Sequence, residues 1–248
     1  MGATYFASDL HLTAVEDPIF DCFVEFLERV RADGSELYLL GDVFESWIGD
    51  DDDEDLGPAV AKALRAVADA GVLVSFAHGN RDFLVGEHFA KTSGARLMAE
   101  VEMLGIGDRH ILVLHGDTLC TDDLAYQQVR RTLRDPHWQA QFLSQPLAAR
   151  RAFAQQARAE SAAYTAVMAS QIMDVNVASV EKLFDASRVD WMIHGHTHRP
   201  AIHELAAGRR RIVLGDWPRR GSWLRLDPSG AAELCFDGHS IGLIATDR

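Results

Sequence analysis

At 248 residues the chain can bury a sizeable core without disulfides or structural metal, and its formal charge of −13 with a pI near 5.2 argues against general nucleic-acid binding. Cys22, Cys120 and Cys235 stand far apart with no CxxC spacing, which fits a reduced, cytoplasmic protein. The opening "TYFASDLHL" has no basic leader before a long apolar core, and no apolar run nears the ~20 residues a spanning helix needs, so any membrane contact is expected to be peripheral.

In chain order, short apolar runs alternate with helical patterns. "TYFAS" (4–8) reads as a strand, "IFDCFVEFLERVR" as an amphipathic helix and "ELYLLG" (36–41) as a second strand. "GPAVAKALRAVADAG" follows, with Pro58 placed to start a helix and Gly71 to end it, and then a strand at "VLVSFAHG" (72–79). "HILVLHG" (110–116) and "DWMIHG" (190–195) complete five strand-like runs. "RIVLGDW", "SWLRLD" and "DPSGAAELCF" read as further strands and a turn. The alternation predicts an α/β fold of layered sheet covered on its faces.

Residues 124–173 differ: rich in Ala, Gln, Leu and Arg, they lack strand patterning and read as helices broken near Pro136 and Pro146. We take them as a helical cap inserted into a single domain spanning 1–248. Arg130, Arg131, Arg134, Arg150, Arg151 and Arg158 there are offset only by Asp135 and Glu160, a balance that could favour an anionic leaflet. The acidic run 50–55 lacks the spacing of a calcium loop and reads as a solvated turn. "RRR" (209–211) reads as a solvated hairpin end, and His78 and His194 as hydrogen-bonded core histidines.

Each of the five strand-like runs ends in polar groups that can bind metal. The endings are Asp9 and His11, Asp42, Asn80 with Arg81, His115, and His196 with His198. Parallel strands would deliver all of them to one rim, where open α/β sheets hold their ligands. Any one such ending is usually a polar turn, but five together point to a site for two divalent ions. Such a pair of ions supplies the acidity that makes water nucleophilic at neutral pH, and mixed carboxylate, imidazole and amide donors suit Mn²⁺, Fe²⁺ or Zn²⁺.

The blocks "SDLHL", "GDVFE", "GNRD", "HGD" and "HGHTH" resemble, in order, those of the calcineurin-like metallophosphoesterases, over roughly residues 1–120 and 185–225. The resemblance implies a β-sandwich flanked by helices and a binuclear centre, with Mn²⁺ the expected metal. In it Asp9, His11 and His198 hold one ion, Asn80, His115 and His196 the other, and Asp42 bridges. Most members carry a histidine that protonates the leaving group where this chain has Arg81. Arginine is no general acid near neutral pH but binds phosphate bidentately, so a leaving group that is itself a phosphate is expected.

With Arg81, the stretches "ESWIGDDD", "HGDTLCTDDLAY", "IHGHTHRP" and "VLGDW" look like the branch of that family acting on UDP-2,3-diacylglucosamine in Gram-negative lipid A synthesis. This likeness implies water attack on the α-phosphorus, giving UMP and 2,3-diacylglucosamine 1-phosphate, at the cytoplasmic face of the inner membrane. It implies a cap holding two acyl chains, with Trp47, Phe83, Leu84, Tyr126, Phe142, Leu143 and Phe153 as candidate lining. The implied substrate contacts are Asn80, Arg81, Asp123, Ser161, Thr165 and His196, with Met168 where the branch often has lysine. Neither nucleic acid nor an obligatory protein partner is expected. The alternatives are a binuclear phosphoesterase for soluble nucleotides or phosphomonoesters and, of another class, a non-catalytic scaffold.

Overall fold

A computed structural model describes residues 2–167 and 174–244. The chain runs β1 (Ala3–Ala7), α1 (Pro18–Asp33), β2 (Gly34–Leu39), α2 (Leu56–Asp69), β3 (Leu73–Phe76), α3 (Glu87–Ser93), β4 (Arg96–Leu97), β5 (Val101–Ile106) and β6 (Arg109–Leu114). There follow α4 (Leu124–Leu133), α5 (Pro136–Leu143), α6 (Leu147–Val167), α7 (Val177–Ser187), β7 (Trp191–His194), β8 (Ala201–Glu204), β9 (Arg210–Val213), β10 (Ser222–Leu226), β11 (Ala232–Phe236) and β12 (His239–Ile244).

The strands form two sheets, in the orders β12-β11-β10-β1-β2-β3-β4 and β5-β6-β7-β9-β8. Side chains alternate across each strand and so serve two cores at once. Tyr5, Leu37 and Leu39 pack on one side with Phe23 and Phe26 of α1 and Leu64 of α2. Phe6 and Tyr38, stacked at 5.2 Å, face the other way and meet Ile111, Val113, Trp191 and Ile212 between the sheets. On the outer face of the second sheet, Leu112, Leu114 and Met192 pack against Val180 and Phe184 of α7.

β1, β2 and β3 are parallel in the first sheet and β6, β7 and β9 in the second. The strand-end segments therefore come from two stacked sheets, not from one. Helix starts follow local chemistry. Asp17 caps α1 by accepting from the Ile19 amide ahead of Pro18, and Asp135 caps α5 by accepting from His137 and Trp138 ahead of Pro136. The short edge strands β4 and β8, and β5, which pairs with the expected β6, lie where no strand was expected, because their residues alternate polar and apolar only briefly.

Candidate metal centre

The residues gathered by the two sheets sit on strained backbone. Asp9, His11, Asp42, His196 and His198 have φ between 52° and 67°, and they make up five of the eight non-glycine residues with positive φ among those described. Such strain costs ~1–3 kcal/mol per residue and persists only where the surroundings over-determine it. The ladder after β1 supplies part of that restraint, since the Asp9 amide donates to Gly41 O and the His11 amide to Asp42 O, both at 3.0 Å.

Two glycines allow the loops to close. A Cβ on Gly79 would overlap Asp42 Oδ1, and one on Gly195 would overlap Asp9 Oδ2. Asp82, fully buried, accepts from the amides of Gly79 (2.8 Å), Val43 (2.8 Å) and Asp42 (3.2 Å). It thereby ties the segment carrying Asn80 to the one carrying Asp42. Asp9 accepts from Ser8 Oγ at 2.5 Å and from the His196 amide at 2.9 Å.

Donor atoms converge from both sheets. Ligand atoms of Asp9, His11 and His198 lie within 4.8 Å of one another, as do those of Asp9, Asp42 and His115. Asp42 Oδ2 is 3.9 Å from His11 Nε2 and 3.7 Å from His115 Nε2, within reach of both halves of the cluster. Asn80 Oδ1 lies 3.0 Å from His115 Nε2 and 2.8 Å from His196 Nδ1.

The proton arrangement at these contacts fits a cation. His115 Nδ1–H donates to Leu40 O at 2.8 Å, so a neutral ring would turn its Nε2 lone pair toward the Asn80 oxygen. His11 Nδ1–H donates to Glu45 Oε2 at 2.8 Å, so a neutral ring would turn its Nε2 lone pair toward His198 Nε2, 3.2 Å away. Acceptor facing acceptor is unfavourable unless a proton or a cation stands between them. Carboxylates and a carbonyl orienting the far ring nitrogens are the usual arrangement around metal-ligating histidines.

Electrostatics in the metal-free chain agree. Burial would raise the Asp9 carboxyl, but the His198 hydrogen bond and the charges of His115 and His11 hold it well below the carboxylate range. For Asp42 burial prevails and raises it, against the pull of His115 and His11. Burial would lower His11, yet the Glu45 hydrogen bond and the Asp42 and Asp9 charges push it up to about 9. His196 falls to about 4 through burial and the neighbouring charge of His115.

Beside the centre opens a cavity of about 510 Å³ between the sheets' rim and helices α4, α5 and α6. Asn80 and Arg81 stand at its inner end, and Ser161 and Tyr164 of α6 also line it. Of the proposed acyl-pocket residues, Trp47, Phe83, Leu84, Tyr126, Phe142 and Phe153 are in the wall, whereas Leu143 is exposed and outside it. Trp138, not anticipated, stacks on Phe142 at 5.0 Å. Asp123 is buried and caps α4, accepting from the Tyr126 amide at 2.9 Å and from Tyr164 Oη at 2.8 Å. His196 meets the cavity through Tyr126, whose ring lies 5.7 Å from its own. Thr165 falls in the last turn of α6 with no side-chain description, and Met168 lies outside the described residues.

The acidic run is largely exposed, as expected of a solvated turn, but it also pairs with the arginines of α6. Asp51 pairs with Arg150 at 2.5 Å, and Asp52, Asp53 and Glu54 surround Arg151. Asp50 accepts from the amides of Gly86 (2.9 Å) and Phe89 (3.0 Å) at the start of α3. The arginines at 209–211 are engaged too, Arg209 with Asp185, Arg210 with Glu204, and Arg211 donating to His194 Nε2 at 3.1 Å. His78 and His194 are bound to backbone carbonyls, of Val85 and Gly195, as expected for structural histidines. Cys120 is buried and in no disulfide.

Comparison with known proteins agrees with this geometry. The profile of the calcineurin-like phosphoesterase family matches residues 3–200. A protein of Xanthomonas axonopodis pv. citri named UDP-2,3-diacylglucosamine hydrolase is 52% identical over 240 residues, covering 92% of this chain and 97% of the relative. One of the same name from Serratia proteamaculans is 49% identical over 234 residues, covering 93% and 97%. Among solved structures, an archaeal phosphodiesterase aligns with a TM-score of 0.50 at 11% identity, over 94% of this chain and 98% of its own. Vps29 of Entamoeba histolytica complexed with Zn²⁺ aligns at 0.50 and 13% identity, over 98% of each chain. At such identities these two speak to the fold alone.

Proposed function

The chain belongs to the calcineurin-like phosphoesterase family, and from that premise we propose that it hydrolyses the pyrophosphate bond of UDP-2,3-diacylglucosamine. Water attacks the α-phosphorus, and the products are UMP and 2,3-diacylglucosamine 1-phosphate. The observation that carries this reading is continuity: Asn80 and Arg81 stand between the metal-ligand cluster and an aromatic-walled cavity large enough for lipid chains. The naming of relatives about half identical over nine-tenths of the chain supports it.

Two divalent ions, Mn²⁺ as the family resemblance implies, would supply Lewis acidity that polarises a phosphoryl group and makes water nucleophilic near neutral pH. Asp9, His11 and His198 would hold one, Asn80, His115 and His196 the other, with Asp42 between them. Glu45 orients His11, and Leu40 O orients His115. Arg81, whose Nε is buried without a hydrogen-bond partner, receives the departing phosphate, which needs no proton. Asp123 acts by fixing Tyr126 and Tyr164 at the cavity wall, and Ser161 reaches the sugar directly. Helices α4–α6 act as a cap that excludes water, and the enzyme works peripherally at the cytoplasmic face of the inner membrane. No described helix is long and apolar enough to cross a membrane.

The test is turnover of UDP-2,3-diacylglucosamine with Mn²⁺ and detergent in ¹⁸O-water, for wild type and Asp42→Ala. Label in UMP, lost in the variant, is expected. No turnover in metal-loaded wild type, with hydrolysis of soluble nucleotides or phosphomonoesters instead, would overturn the lipid assignment.

A further inference from the structure

The cavity holds a cation that this reading leaves without a role. Arg158 lies on the face of α6 that carries Ala154, Ser161 and Tyr164 into the cavity wall. Its Nε is buried with no hydrogen-bond partner, and its guanidinium makes no ion pair among the described residues. Arg150 and Arg151, two turns earlier on the same helix, are by contrast fully engaged by the acidic run. Arg81 lines the cavity from the core side, its Nε equally unpartnered and its Nη1 3.8 Å from Glu45.

Glu45 is not a sufficient partner for either, because its carboxylate already holds His11. Arg81 is near it, and Arg158 faces the same cavity from α6. Glu45, Arg81 and Arg158 line the same cavity, and the Nε of each arginine is buried without a hydrogen-bond partner. Two arginines from opposite walls thus converge beside the metal-ligand cluster with donors to spare. Uncompensated guanidinium in an apolar enclosure is unfavourable, and its planar fork matches the oxygens of a phosphate.

We propose that Arg158, from the cap, joins Arg81, from the core, as a second guanidinium on the phosphate that departs with the diacylglucosamine, and so selects a phosphate-bearing lipid. This rests on the functional reading above. A phosphate monoester carries close to two charges near neutral pH, and one arginine neutralises only one.

Calorimetric binding of 2,3-diacylglucosamine 1-phosphate, and of the same lipid without its phosphate, to wild type, Arg158→Gln and Arg158→Lys in detergent tests it. For Arg158→Gln a loss of about tenfold is expected for the phosphorylated lipid, with less than about threefold for the other. Arg158→Lys keeps the stem and the charge but not the fork, so it should show an intermediate ratio, and it carries the test should the Gln variant not fold. Equal losses for both lipids, or an unchanged ratio, would overturn the assignment. Wild-type turnover of the UDP-lipid is measured alongside: its absence removes the functional reading, whereas intact turnover with an unchanged ratio removes only the role of Arg158.

Discussion

His11 is held charged by its neighbours and needed neutral by a metal. Burial opposes its charge, but the Glu45 hydrogen bond and the Asp42 and Asp9 carboxylates carry its pKa up to about 9. In the metal-free chain the imidazolium therefore contributes stability that is fully present below the ordinary value of ~6.5 and is lost as pH rises through 9. A divalent ion must displace that proton to use Nε2. Apparent Mn²⁺ affinity is then expected to climb by about tenfold per pH unit between roughly 6.5 and 9 and level off beyond. Calorimetry in buffers of different ionisation enthalpy counts the protons released, and affinity independent of pH would sink the placement of His11 at the metal. That His11 and the other residues of the cluster would come together was legible in the sequence, because aspartate, histidine and asparagine recur at strand ends. Glu45 and Asp82 were not. They reach the centre through another residue's ring or through backbone amides, and no residue type or spacing marks that.

Helix α6 is docked by charge at one end and lines the cavity along its length. Arg150 is 2% exposed, and it donates to Ile48 O at 2.6 Å, Asp51 Oδ1 at 2.7 Å and Gln145 O at 3.0 Å. Gly49 leaves the room for it, since a Cβ there would overlap Arg150 Nη1. Asp51 is 64% exposed, so its loss of a partner is cheap, and the cost of removing Arg150 falls mainly on the buried carbonyl of Ile48. Arg150→Ala is expected to destabilise by about 1–3 kcal/mol. Faster amide hydrogen exchange should follow in 147–158 and 46–52 but not in β1 or β7. A uniform loss of protection across the sheets would argue against local docking. The sequence showed six acids in a row and a separate arginine-rich insertion, yet gave no sign that they meet. A contact across about a hundred residues leaves no local pattern, whereas Pro136 and Pro146 mark the breaks between α4, α5 and α6 by local backbone chemistry.

Over the whole molecule, the same pairing changes what holds the protein to a bilayer. With a net charge of −13 the chain is repelled by anionic lipid, and the arginines of the insertion looked like the counterweight. Most of them are occupied: Arg130 by Asp117 and Glu100, Arg134 by Gly79 O, Arg150 and Arg151 by the acidic run. Large apolar side chains stand exposed on these helices among polar ones, Leu124 at 75%, Val129 at 55% and Phe153 at 44%. Membrane contact is therefore expected to arise from apolar insertion and not from charge. Binding to vesicles of zwitterionic lipid and to vesicles with anionic lipid should agree within about threefold and change little with salt. Leu124→Asp should weaken both by roughly tenfold or more, the worth of one buried leucine side chain. A strong preference for anionic vesicles that high salt abolishes would instead return the arginines to the lipid surface. It would also mean that the pairs with Asp51, Asp52 and Asp117 open when the membrane is met.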